Sequence, residues 1–397
     1  MSISRIGEGS PALGPPAVKR PFPVVDCLLG GGIVLAFVLI AINVRANMTA
    51  AGIQPGFGFL WQQAGFDLSE SLIPYGAEDS YLRAILAGLV NTLFVSAVSL
   101  TLACVVGLAI GLVSVGPSPL ARLLALAYVE LFRNLPKILI LLVLFVVAVN
   151  GLPAIRRAIA LGPVLISNRA IYVPWLADDP RNGIWLALSF LLVATMATLW
   201  IRLARRRQAA TGKQPPVMPV LLLLAFAVPG GLATLLQAPL QLTQPTLAGF
   251  AVEGGVGVSI QFCAVVATLA LYHGAQIAEV LRGGIEAVPK GQIEAAAALG
   301  LTRSRTVRLV VVPQVLRSVV PPLNSQFANL LKNTSISIAV GYSDLMSVAG
   351  TAINQTFRPL ELMLITMAIY LLLCLGLTGL LNRWSDRIRA REGRGAR

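Results

Sequence analysis

Residues 291–313, GQIEAAAALGLTRSRTVRLVVVP, form a polar and basic segment between two long apolar stretches of the chain. Gln292 to Leu299 is rich in strong helix formers, and Gly300 can adopt the left-handed conformation that ends a helix. Thr302 can cap a following helix, which carries three arginines before Pro313. The segment therefore predicts a helix, a tight turn and a second helix, a hairpin whose small-sided first helix can enter a groove on a partner.

The composition indicates a polytopic membrane protein. Of the 397 residues, 56% are hydrophobic and only 12% are charged, and the mean hydropathy is +0.79, whereas soluble proteins carry about 25% charged residues. The net charge of +14 would suggest nucleic acid binding in a soluble protein. In a membrane protein it is typical of basic loops held on one side, so we expect a lipid partner and no nucleic acid.

The cysteines give no sign of disulfides or of a metal site. All four lie in apolar segments, where they are expected to be small buried hydrophobic residues: Cys27, Cys104, Cys263 and Cys374. The first apolar run is not followed by a signal-peptidase site of the A-x-A type. We therefore expect that run to be a retained span, and we expect no metal and no cofactor.

Spans of about 20 mostly apolar residues can cross a membrane as helices. Eight segments meet this requirement: 25–44, 85–113, 124–150, 184–201, 217–236, 258–281, 314–340 and 361–382. Lys and Arg cluster before the first span, between the fourth and fifth, after the sixth and after the eighth. Because eight spans put all these clusters on one side, that side and both termini are predicted to be cytoplasmic.

The opposite side holds the loops 45–84, 151–183, 237–257 and 341–360. The second of these loops carries the main exceptions to the charge rule: Arg156, Arg157, Arg169 and Arg181.

Two of the spans are predicted to be irregular. In the third, the hydrocarbon part begins near Leu135, and residues 119–134 are expected to run along the cytoplasmic interface. The stretch from Gln314 to Pro359 is too long for one crossing. Since Asn, Thr and Ser favour helix starts, we expect a broken element there with a second short helix starting near Ser335.

The hairpin resembles the characteristic cytoplasmic loop of permease subunits of bacterial ABC importers. Glu294-Ala295-Ala296 is followed by three residues, Gly300, nine residues, and then Val310, Val312 and Pro313 where the family has Ile, Leu and Pro. Other segments resemble the polar amino acid branch: Asn91-Thr92-Leu93, Glu130–Pro136, Tyr272–Ala275, Ala278-Glu279, Arg282–Ile285 and Lys332–Ser335. The added first helix and the inserted pair of helices are similar to the long general L-amino acid permeases of Gram-negative bacteria.

This resemblance implies an all-α fold with the permease core of a type I ABC importer, in the bacterial inner membrane. It implies as partners a second permease subunit, two ATP-binding subunits and a periplasmic amino acid-binding protein. The sequence contains no G-x-x-x-x-G-K-[ST] phosphate loop. We therefore expect a translocation subunit that is not an enzyme, with ATP hydrolysed by a partner.

The expected organisation follows the spans. It comprises an N-terminal tail (1–24), an extra helix (25–44), a periplasmic loop (45–84), the first core part (85–150), an insertion with two helices (151–255), the second core part (256–385) with the coupling loop (289–313), and a basic tail (386–397).

The candidate site residues fall into two groups. Those expected to couple to the ATPase are Glu294, Ala295, Ala296, Gly300, Arg303, Arg305 and Pro313. Those expected along the substrate path are Gln276, Lys332, Asn333, Thr334 and Ser335, because the N-terminus of a half-helix at membrane depth can bind a carboxylate. For the lone histidine, His273, a structural role is favoured over a proton relay, and Glu279 with Arg282 is expected to form a local ion pair.

Three other functions stay open at this level. The chain could be a permease for another polar solute, such as an opine. It could be a stand-alone secondary transporter or channel, although that class usually needs paired acidic residues within the membrane, and we find no such pair in the spans. It could also be a membrane anchor, which would not explain the broken seventh segment.

Overall fold

The computed structural model describes residues 23–50, 56–176, 180–212, 215–235, 242–249 and 251–393. The expected N-terminal tail lies outside these residues up to position 22, as do the last four residues of the basic tail. The chain divides into two compact units, of which the first ends at Phe59 and the second runs from Leu60 onward. Among its described residues, the first unit contains the α-helix α1, and the second unit contains all the elements discussed as functional below.

The described residues are mostly helical. The helices are α1 (Pro23–Ala50), α2 (Tyr81–Ser114), α3 (Pro119–Asn134), α4 (Lys137–Gly151), α5 (Pro180–Thr211), α6 (Val217–Leu235), α7 (Ile260–Glu286), α8 (Lys290–Ala298), α9 (Arg303–Thr306), α10 (Val312–Asn333), α11 (Leu345–Thr356) and α12 (Pro359–Gly393). Short 3₁₀ turns occupy Gly58–Trp61, Ile155–Arg157 and Thr334–Val340, and a π-helical turn occupies Val307–Val311.

Most of the predicted spans are present as long apolar helices. Among the described residues, six helical runs are long and apolar enough to cross a membrane: Asp26–Asn47, Tyr81–Ser114, Leu188–Gln208, Ile260–Glu286, Arg303–Val340 and Pro359–Arg383. The pair α3 and α4 qualifies as a seventh, with a bend of 104° between its two parts. The predicted fifth span corresponds to a shorter apolar helix, Pro219–Leu232. The expectation of about eight membrane helices thus agrees with the structure.

The bend between α3 and α4 confirms that the third span is irregular. Pro136 lies at the break, and the residue before a proline is biased away from helical geometry; Leu135 accordingly has φ −80° and ψ 137°. α3 buries Ala125 and Val129 and exposes leucines on its other side. This amphipathic character suits a helix lying along a membrane interface.

Helix α7 is the centre of the second unit, because α2, α3, α4 and α10 all pack against it. Its closest neighbour is α2, which meets it through small residues. A Cβ atom added at Gly107 of α2 would lie 2.5 Å from Cγ2 of Ile277, and one added at Gly274 of α7 would lie 2.9 Å from Cγ1 of Val106. Small residues at such spacings let two membrane helices approach closely, so that dispersion contacts hold them together.

A small antiparallel sheet, which joins the 151–255 insertion to the start of the second core part, was not predicted. Its strands, in the order β1, β2, β3 and β8, are β1 (Ile159–Leu161), β2 (Val164–Ile166), β3 (Ala170–Val173) and β8 (Val256–Ser259). Two further pairs are β4 (Trp175–Leu176) with β5 (Leu242–Thr243) and β6 (Thr246–Ala248) with β7 (Ala251–Glu253).

The sheet brings the beginning of the insertion next to the residues that follow it. In the β3–β8 ladder, Ala170 lies opposite Ser259 and Val173 opposite Val256, and β8 leads directly into α7. Helices α5 and α6 lie between β4 and β5 in the chain, and these strands also pair. The insertion is therefore joined to the N-terminal end of α7, which we call the sheet end. The C-terminal end of α7, which leads to α8, is called the hairpin end.

The seventh segment is broken, as expected, and a short helix does start near Ser335, the 3₁₀ helix Thr334–Val340. It continues directly from α10 without a side-chain cap, so it offers no free helix N-terminus, and the next α-helix, α11, begins at Leu345. The hydroxyls of Thr334 and Ser335 donate back to the carbonyls three residues earlier, at 2.9 and 3.0 Å, so neither caps a new helix. The capping residue is Asp344, whose Oδ1 accepts from the backbone N–H of Ser347 at 2.9 Å, and this helix start already holds a carboxylate.

The α2–α7 contact yields a matched test. Gly107→Ala should destabilise the fold by about 1–3 kcal/mol because the added methyl overpacks the crossing. Gly376→Ala in α12 makes the same chemical change where no atom lies within 4 Å, and it should leave stability almost unchanged. The midpoint of thermal unfolding in detergent measures both, and equal midpoints for the two variants would contradict the close approach.

Candidate functional site

The predicted hairpin is present at the hairpin end of α7. Helix α8 ends at Ala298, and Gly300 has a φ of +74°, the left-handed conformation that the sequence predicted. The turn is closed by backbone bonds from Gly300 N–H to the Ala297 carbonyl at 2.9 Å and from Leu301 N–H to the Ala296 carbonyl at 3.1 Å. This is the hydrogen-bonding pattern of a glycine helix stop.

The second helix of the hairpin runs on into the bundle. Thr302 lies at the N-cap of α9 in extended geometry, although its side chain makes no capping bond. After one turn, α9 continues through the π-helical turn Val307–Val311 into α10, where Pro313 lies in the first turn. The second helix of the hairpin and α10 are thus one continuous helical run.

The surface of the hairpin is open. Glu294, Ala295, Gly300, Arg303 and Arg305 are exposed, Pro313 is half-buried, and Ala296 is buried under the turn. Leu299 at the tip is 81% exposed, and Ile293 and Leu309 are also exposed. Exposed apolar side chains beside arginines are typical of a surface that a partner covers.

A group of charged residues joins α7 to α3 next to the hairpin. Arg282 contacts Glu279 at 2.7 Å and Glu286 at 2.7 Å, and Glu279 also lies 3.6 Å from Arg133 of α3. The predicted Glu279–Arg282 ion pair is therefore confirmed. Because Glu279 faces two guanidinium groups, it links the last turns of α7 to α3.

A polar cavity of about 380 Å³ lies between α4, α7 and α10. Its lining is Lys137, Tyr272, His273, Gln276, Gln326, Asn329, Lys332 and Asn333. Of the predicted substrate-path residues, the structure brings Gln276, Lys332 and Asn333 together here. Thr334 and Ser335 do not line the cavity, since their hydroxyls bond to their own backbone.

The cavity is basic and internally hydrogen-bonded. Lys137 Nζ donates to Asn333 Oδ1 at 2.6 Å and lies 5.3 Å from the centre of the Tyr272 ring. The amide Nδ2 of Asn333 lies 3.2 Å from Nε2 of His273. With two lysines and no acidic residue in its lining, the cavity suits a carboxylate.

Sequence reasoning did not find the residue that α4 contributes to this cavity. Lys137 was not among the candidate site residues, and His273 was expected to have a structural role. A lysine within an apolar stretch is itself a signal of function. The convergence of Lys137 and Asn333, 196 positions apart, was not visible.

A second, larger cavity of about 580 Å³ extends the polar surface between α10 and α12. It shares Asn329 and Lys332 with the first cavity and reaches back along α10 past Ser325 to Pro321. These positions recur every three or four residues, which places them on one face of α10. Among the described residues, we find no cluster of His, Cys, Asp and Glu that could hold a metal ion.

A helical bundle that encloses a polar cavity and presents an open hairpin at one end has the arrangement of a membrane permease. The chain belongs to the family of ABC transporter permeases. Its residues 215–390, which include the hairpin and α10 to α12, match the family described as "Binding-protein-dependent transport system inner membrane component".

Three relatives are similar to this chain over most of its length. The putative amino-acid ABC transporter permease protein YhdX of Escherichia coli is 37% identical, across 87% of this chain and 88% of that protein. The general L-amino acid transport system permease protein AapQ of Rhizobium johnstonii is 37% identical, across 87% and 86%. The glutamate/glutamine/aspartate/asparagine transport system permease protein BztB of Rhodobacter capsulatus is 37% identical, across 88% and 89%.

The ion pairs next to the hairpin give a second matched test. Glu279→Gln removes the carboxylate that Arg133 and Arg282 share, leaving Arg282 paired only with Glu286, and it should cost about 1–2 kcal/mol of stability. Glu286→Gln removes only an exposed pair within one helix and should cost well under about 1 kcal/mol. Thermal unfolding at low and at high salt measures the difference, and a Glu279→Gln variant as stable as Glu286→Gln would contradict the linking role.

Proposed function

We propose that this chain is the permease subunit of an ATP-driven amino acid importer in a bacterial inner membrane, with both termini in the cytoplasm. The observation that carries the proposal is the exposed hairpin with the Glu294-Ala295-Ala296 and Gly300 pattern, which is continuous with the wall of a basic cavity. The substrate class is supported by the relatives, whose names describe amino acid transport. The mechanism is alternating access, driven from outside the chain.

The hairpin is the site at which energy enters. The sequence has no phosphate-binding loop of its own, so ATP is bound and hydrolysed by two ATP-binding partner subunits. The small-sided face of α8 and the exposed Leu299 enter a groove on such a subunit, and Glu294, Arg303 and Arg305 fix the register through charged contacts.

Two connections carry the motion into the membrane. The first is helix α10, which continues from the hairpin for 22 residues, about 33 Å at the usual helical rise, and ends at Lys332 and Asn333 in the cavity wall. The second is the Glu279 ion-pair group, which moves α3 together with α7. A displacement of the hairpin therefore shifts the cavity wall relative to Lys137 on α4.

The basic cavity lies on the substrate path. Lys137 and Lys332 bind the carboxylate that every amino acid carries, and Gln276 and Asn333 supply further hydrogen bonds. Thr334 and Ser335 support this wall by holding the turn after α10. The polar face of α10 would be costly in lipid, so it faces a second permease subunit and leads the solute toward the cytoplasm. A periplasmic amino acid-binding protein delivers the solute on the other side.

The hairpin turn is tested by Gly300→Val. A β-branched residue resists a positive φ at a cost of about 1–2 kcal/mol, so docking should fail and uptake of labelled L-glutamine or L-glutamate should fall about tenfold. Gly291→Val, in the exposed first turn of α8, is the control and should keep uptake near wild type. Normal uptake in Gly300→Val, at equal protein levels in the membrane, would argue against the coupling role.

The cavity is tested by Lys332→Met. Loss of a charged contact to the carboxylate should raise the KM for uptake about tenfold or more, while assembly with the partner subunits and basal ATP hydrolysis persist. Ser335→Ala, three residues further along and outside the cavity lining, should change the KM much less. An unchanged KM in Lys332→Met would remove this cavity from the substrate path.

A further inference from the structure

A third cavity, of about 390 Å³, lies at the sheet end of the bundle. We call it the outer cavity. It is enclosed by the loop before α2, by α2 itself, by strands β3, β4 and β8, and by the first turn of α7. Its most prominent side chains are Glu70, Phe94, Trp175, Phe262 and Tyr342.

The aromatic walls of the outer cavity are packed against one another. The rings of Phe94 and Phe262 are stacked at 5.4 Å, and Phe262 meets Tyr342 at 5.9 Å. Tyr342 is buried, and its hydroxyl donates to the carbonyl of Asn91 at 3.3 Å. Preformed aromatic walls of this kind bind a ligand at little cost in conformational entropy.

The other polar groups of the cavity are engaged within the protein. Asn91 accepts from Leu72 N–H at 3.2 Å and donates to the carbonyls of Glu70 and Ser343 at 2.9 and 2.8 Å. The hydroxyl of Ser71 donates to the carbonyl of Ile73 at 2.7 Å. A ligand therefore meets one charged group in the outer cavity, the side chain of Glu70.

Glu70 is a half-buried carboxylate that accepts one hydrogen bond, from Ser259 Oγ at 2.7 Å. In the part of the chain that the structure describes, no cation lies within ion-pair distance of it. Burial raises the pKa of the Glu70 carboxyl, and the Ser259 hydrogen bond opposes this only in part. A desolvated carboxylate among aromatic rings is the chemistry that binds an ammonium group.

The outer cavity lies on the same face of α7 as the basic cavity. Phe262 and His273 are eleven residues apart, about three turns or 16 Å. Between them lies an apolar core that includes Leu141 and Leu269, with Phe145 and Ile336 packed against it. The two cavities carry opposite charges. Glu70 lies in the outer cavity on one side of this core, and Lys137 and Lys332 lie in the basic cavity on the other side.

We propose that the outer cavity is a second solute site, in which Glu70 binds the α-ammonium group of an amino acid while the aromatic rings pack against its carbon skeleton. This inference rests on the proposed function. The outer cavity then lies on the side of the apolar core from which the solute enters. The solute is first held there by its ammonium group, and its carboxylate later reaches Lys137 and Lys332 in the basic cavity.

The experiment measures equilibrium binding to the purified full-length chain in detergent, without ATP or partner subunits. The probes are glycine, L-glutamine and L-glutamate, each compared with its N-acetyl derivative, which lacks the ammonium. We expect the free amino acids to change the tryptophan fluorescence and the N-acetyl derivatives to leave it unchanged. Trp175→Phe should remove the signal, because Trp175 is the tryptophan that lines the cavity.

Glu70→Gln should weaken this binding about tenfold or more, since it removes the charge and keeps the shape. The control is Glu78→Gln, an exposed acidic residue of the same loop, which should bind as the wild type does. Elution volume and thermal midpoint verify that each variant is folded.

Equal affinity in Glu70→Gln and wild type would overturn the proposal, as would equal binding of the N-acetyl derivatives. A signal from none of the amino acids, together with weaker partner assembly in Glu70→Gln, would assign the cavity to a basic side chain of a partner protein and would also overturn it. These failures are distinct from failure of the proposed function, which is measured by ATP-driven uptake.

Discussion

The close approach of α2 and α7 is the constraint on which the rest of the structure depends. Gly107 and Gly274 bring the two helices so near that neither position has room for a methyl group. In a membrane, where burial of apolar area no longer drives association, such dispersion contacts hold helices together. Because α7 carries residues of the basic cavity and of the outer cavity, contributes Glu279 to the ion pairs and leads into the hairpin, its position fixes all four.

The proposed coupling depends on the continuous helical run from α9 to the end of α10. The second helix of the hairpin and the wall of the basic cavity belong to one helical run, which includes a π-helical turn at Val307–Val311. Such turns occur often at functional positions and give a helix a place to adjust. In the proposed function, a displacement of the exposed tip at Leu299 reaches Lys332 through the tight turn at Gly300 and then through this helical run. The chain then supplies the path for the solute, and the energy comes from ATP-binding subunits that dock on the hairpin.

Local features of the chain could be predicted from sequence, and features that depend on distant pairing could not. Gly300 and the alanines before it act within a few residues, so the hairpin was predicted, and so was the change near Leu135 from an interfacial segment to a spanning helix. The short helix expected near Ser335 is present as the 3₁₀ helix Thr334–Val340, but Thr334 and Ser335 do not cap it because their hydroxyls bond to preceding carbonyls, and Asp344 caps α11 instead. The sheet was missed because its strands are only three or four residues long. In addition, Tyr172 pairs with Gly257, although the helices α5 and α6 lie between these two residues in the chain. For the same reason, sequence reasoning found Lys332 and Asn333 but not their approach to Lys137.

The most direct measurement of the central claim is amino acid uptake into vesicles that contain this chain with or without its partners. The complete assembly of chain, second permease, ATP-binding subunits and binding protein should accumulate labelled L-glutamine or another L-amino acid only when ATP is present. Omitting the ATP-binding subunits should abolish uptake. Uptake by the purified chain alone, driven by an ion gradient and indifferent to ATP, would contradict the account and indicate a secondary transporter.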